Sequence, residues 1–114
     1  MSTEHEWATA LTKARREVVQ RRQIPISIRK NQIDSQIKIS KQQLRTACLE
    51  HNRDHVSQLL ETLIELRATQ TALFFEDMKE QYGTIGSAII RQQTKAYVTD
   101  CLHLIQSAQT LGKP

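Results

Sequence analysis

Apolar residues recur along this chain at intervals of three and four, the spacing that places side chains on one face of an α-helix. In the first segment Trp7, Leu11, Ala14 and Val18 form such a face. Thr3 and Glu6 ahead of it have the spacing of a capping box. The helix is expected to stop before Pro25, because a residue preceding proline is pushed out of the α region.

The second segment starts ambiguously. Ile24, Ile26 and Ile28 alternate as a strand would, yet the run is short and no partner strand is evident. A helix begun at Pro25 is the better reading, since proline suits a first turn. Ile33, Ile37, Leu44 and Cys48 then share its inner face.

From about residue 54 to 82, Val56, Leu59, Leu60, Leu63 and Leu66 make a dense stripe, continued by Leu73, Phe74 and Met78. Gly83 stands where a helix-ending glycine belongs. A break near His51–Asp54, capped by Asn52 or Asp54, is preferred to one very long helix. The last segment opens at Thr84 or Ser87 as cap. It aligns Ile90, Tyr97, Cys101, Leu104, Ile105, Ala108 and Leu111, and ends at Gly112.

Only five residues are Gly or Pro, too few for a many-turned β fold. The expected fold class is therefore all-α: a small antiparallel helical bundle of three to four amphipathic helices. With 114 residues, one helical domain spanning 1–114 is expected, and a homodimer is expected as well, since it would enlarge the limited core. Nothing is apolar enough to span a membrane, and the acidic N-terminus is unlike a signal peptide. A cytoplasmic protein with free Cys48 and Cys101 is the expectation.

Charge adds what periodicity does not. Net charge is +4, but residues 8–49 carry ten Lys or Arg against Glu17 and Asp34, a balance of +8, leaving −4 for the more acidic remainder. Lys38, Lys41 and Arg45 fall in one helical row; Lys13 and Arg16 share the outer face of the first helix; Arg15 and Arg22 flank its apolar stripe. Such rows can follow a phosphate backbone. The leading expectation is a non-enzymatic nucleic-acid-binding protein using Lys13, Arg15, Arg16, Arg22, Lys38, Lys41 and Arg45. No base-reading motif is present and stacking aromatics are few, so duplex RNA, read by shape and backbone, is preferred to DNA.

The competing expectation is a helical adaptor, chaperone or small assembly subunit that binds a protein partner. Its contact residues would be Arg67 and Gln70, which interrupt an apolar stripe, and Phe75, which points away from Phe74 and faces either outward or a neighbouring helix. Cys48, His51 and His55 would approach metal-ligand spacing only on an unbroken helix. No metal or cofactor is expected, and acid pairs such as Glu61 and Glu65 read as solvated surface rather than as catalysts.

Overall fold

The computed structural model describes the backbone of residues 3–21 and 23–111, and the side chains of residues 7–21 and 23–110. It contains four helices: α1 (Thr3–Gln20), α2 (Ile26–Leu49), α3 (Arg53–Tyr82) and α4 (Ser87–Leu111), with no strand among the described residues. The strand-like alternation of Ile24, Ile26 and Ile28 is overridden: Pro25 occupies the N-cap position and its carbonyl accepts from the Arg29 amide at 3.2 Å. The side chains of Thr3 and Glu6, and Gly112, lie outside the described residues.

The break between α2 and α3 is built locally. The Asn52 amide reaches back to the Ala47 carbonyl and the His51 amide to that of Cys48, both at 3.1 Å. This crossed pair closes a helix C-terminus and requires a left-handed residue between the helix and its exit. His51 takes that conformation, with φ 55°, where glycine is usual. Asn52 then caps α3 by accepting from the His55 amide. Gly83 ends α3 with φ 78°. The start of α4 corrects the expectation: the helix begins at Ser87, so the N-cap position falls to Gly86 and to neither Thr84 nor Ser87. The Gly86 carbonyl accepts from Ile89 and Ile90 instead.

All three other helices pack on α3. Thr71, Ala72 and Leu73 are buried in succession, which a helix with a single covered face does not allow. Ala68 and Ala72 let the neighbours approach. One core cluster joins α1 to α3 and α4 through Trp7, Leu11, Ala14, Val18, Leu73, Tyr97 and Cys101. A second joins α2, α3 and α4 through Leu44, Cys48, Leu59, Leu63 and Ala108. The Tyr97 hydroxyl donates to the Trp7 carbonyl at 3.1 Å, fixing α1 to α4.

One buried charge also belongs to the core. Arg29 is 9% exposed, and its guanidinium donates to the Val18 and Arg21 carbonyls at 3.0 and 3.4 Å. Those carbonyls close the C-terminal end of α1, where a cation is favoured. Burial, reinforced by the charge of Arg21, pulls the Arg29 pKa down. The Cα envelope measures 50 × 28 × 18 Å. Its short dimension is under two helix diameters, so the helices keep long solvent-facing sides.

Candidate functional site

Three cations stand free on one edge of α2. Lys38, Lys41 and Arg45 are exposed, and none is ion-paired among the described residues. Their spacing gives rises of about 4.5 and 6 Å along the helix axis. The edge overlooks a groove between α2 and α4 with α3 beneath, about 570 Å³ in volume. Lys41, Gln42 and Arg45 form one wall, Asp100, His103 and Ser107 the other, and Leu44, Leu63 and Leu104 lie below.

The carboxylates nearest this groove are already engaged. The Arg67 Nε and one terminal nitrogen each lie 3.0 Å from the same oxygen of Asp100. The other terminal nitrogen donates to Thr71 Oγ1 at 2.6 Å. Gln70 donates to Asp34 at 2.8 Å. Arg67 and Gln70 therefore interrupt the stripe of α3 because each meets a side chain of the same molecule. Neither is an unpaired polar group within the stripe. Phe75 does not face outward, which corrects its reading as a partner contact: it is 1% exposed, lies edge-on to Phe74, and the Arg15 guanidinium sits 5.1 Å from its ring centre.

The predicted basic residues do not converge on one surface. Lys13 lines a different groove, between α1 and α3, opposite Glu65 and beside Glu17. The two grooves share no lining residue. Arg15 is held over Phe75, Arg16 is exposed on α1, and Arg22 lies outside the described residues. What remains together is the α2 row. Sequence reasoning overlooked the opposite wall. Asp100, His103 and Ser107 are spaced three and four apart beside the α4 core stripe, so the signal was present.

The possible metal triplet is dispersed by the turn. Cys48 is buried with its thiol toward the Ala108 carbonyl at 3.7 Å, whereas His51 and His55 are exposed. No cluster of three metal-ligating side chains occurs among the described residues. Burial raises the Cys101 thiol to about 11 and pushes the Tyr97 hydroxyl above its usual range. Cys101 is thus protonated at neutral pH and enclosed, the opposite of a reactive thiolate.

No protein-family model, no curated protein and no solved structure matches this chain. What the site can do follows from its own arrangement. It is a linear row of cations beside an open groove with polar walls and an apolar floor, suited to anionic groups spaced along a line.

Proposed function

We propose that this protein is a non-enzymatic nucleic-acid-binding protein that grips duplex RNA through phosphate contacts made by α2. The single supporting observation is the row of Lys38, Lys41 and Arg45, exposed and without an ion pair among the described residues, facing a groove wall whose Asp100 is already paired with Arg67. Phosphate neutralisation releases counterions and supplies most sequence-independent affinity.

The surroundings of the row favour a duplex. Single strands are held largely by stacking on exposed aromatics. Trp7, Phe75 and Tyr97 are buried, and exposed Tyr82 stands at the far end of α3. One exposed amide, Gln42, lines the groove beside Lys41 and Arg45. Such groups can hydrogen-bond the 2′-hydroxyls displayed across the shallow minor groove of RNA.

The test is a titration against duplex RNA, duplex DNA and single strands over a range of salt. Duplex RNA should bind tightest, with affinity falling steeply as salt rises. The Lys41→Gln/Arg45→Gln variant should bind more weakly, with a salt slope flatter by about 2. An unchanged slope in a variant of normal helicity, or no binding of the parent chain at low salt, refutes the proposal.

A further inference from the structure

The side of α2 turned away from α3 is unusual for a solvent-facing surface. Ile28, Ser35, Ile39, Gln42, Thr46 and Leu49 are all exposed and fall within about 80° of the helix circumference. Not one of them is charged. Ile28, Ile39 and Leu49 are 49, 54 and 64% exposed.

Their spacing is close to palindromic. Ile39 follows Ile28 by eleven positions and precedes Leu49 by ten. We propose that this face pairs with the same face of a second copy of the chain, antiparallel about a two-fold axis near Ile39. That register sets Ile28 opposite Leu49 of the partner subunit, and Ile39 opposite Ile39 of the partner subunit. A two-fold interface must be self-complementary, and this spacing makes it so.

Charge favours the same arrangement. In an antiparallel pair, equivalent edges of the two helices run side by side. Asp34, Lys38, Lys41 and Arg45 share one edge of α2. The register brings Asp34 between Lys41 and Arg45 of the partner subunit, and the symmetry repeats that contact. Asp34 uses one oxygen for Gln70, and a carboxylate has further acceptor capacity. A parallel pair would instead put the two basic edges on opposite sides of the seam. Only Lys38 meets its own copy, at the axis.

The pairing lays the two basic edges along one side of the seam. This part of the inference rests on the proposed nucleic-acid binding. It makes the duplex-binding surface a property of the dimer, continuous across the axis. A phosphate held between the two Lys38 side chains relieves their repulsion, so binding and dimerisation reinforce each other. The seam is about 32 Å long and one helix wide, small for a stable interface. Association should therefore depend on concentration.

Sedimentation without nucleic acid tests the dimer separately from its ligand. The chain should move towards twice its own mass as concentration rises. Ile39→Arg should remain monomeric with unchanged helical circular dichroism, because the side chain it alters is mostly exposed. Under oxidation, a mixture of Ile28→Cys and Leu49→Cys chains should cross-link as a mixed dimer, while neither does so alone. The native thiols, both buried, do not interfere. A chain that stays monomeric, an Ile39→Arg variant that still dimerises, or Ile28→Cys chains that cross-link to each other would overturn the inference. A dimer of this register that ignores duplex RNA would uphold the pairing and refute the proposed function. A monomer that binds RNA would do the reverse.

Discussion

The two halves of α2 carry the same kind of side chain and use it in opposite ways. In the first half, Arg29 turns inward to the carbonyls ending α1, and Lys30 reaches Asp77 of α3 at 2.6 Å. In the second half, Lys38, Lys41 and Arg45 meet no carboxylate among the described residues. Near its start the helix is flanked by groups that need a cation. Further along, the Asp100 carboxylate on the groove wall is already paired with Arg67. Charge count thus measures supply, whereas packing decides which cations hold the fold together and which are left exposed.

The sharpest break in that comparison is Arg29→Ala. It removes the donor from buried carbonyls and leaves a gap between α1 and α2. Loss of a charged hydrogen bond at a buried site costs about 2–3 kcal/mol. Urea unfolding should show that loss, with α1 the first helix to exchange its amide hydrogens. A variant as stable as the parent would mean that solvent replaces the guanidinium and that the two halves of α2 do not differ.

Lys30 and Asp77 should show a smaller effect, tied to pH. The Lys30 hydrogen bond holds the Asp77 carboxyl below its ordinary range, against the opposing effect of burial. A carboxyl with a depressed folded pKa stabilises the protein above its unfolded pKa, near 3.9. That contribution disappears as pH falls through the folded value. Both side chains remain partly exposed, at 36 and 27%, so the pair is worth less than about 1 kcal/mol. Asp77→Asn should lower stability at neutral pH by that amount and leave it unchanged at strongly acidic pH. Equal losses at both would assign the effect to packing instead.

These contrasts also mark where the sequence stops being informative. The helices and their breaks were legible because their causes are local. Pro25, Asn52 and Gly83 act within a turn of their own positions, and the apolar faces of α1 and α4 follow from spacing. Gly86 escaped notice because its carbonyl, not a side chain, starts α4. The fates of Arg29, Arg67, Gln70 and Phe75 depend on residues between 11 and 60 positions away. No pattern along the chain announces such a partner. The candidate site was half visible for the same reason. Its α2 row is a helical repeat, but the separation of that row from the cations of α1 arises only when both helices pack on α3.

The smallest expected effect sharpens the comparison most. If the second half of α2 is reserved for a ligand, neutralising it should cost the fold almost nothing. The triple variant Lys38→Gln/Lys41→Gln/Arg45→Gln changes exposed side chains without ion-pair partners among the described residues, and such surface changes stay within about 0.5 kcal/mol. The sign should favour the variant slightly, because removing neighbouring like charges relieves repulsion along the helix. Thermal unfolding of the isolated chain, at a concentration low enough to keep it monomeric, reads this directly. A loss comparable to that of Arg29→Ala would place these cations in the structure of the fold and remove the reason for assigning them to a ligand.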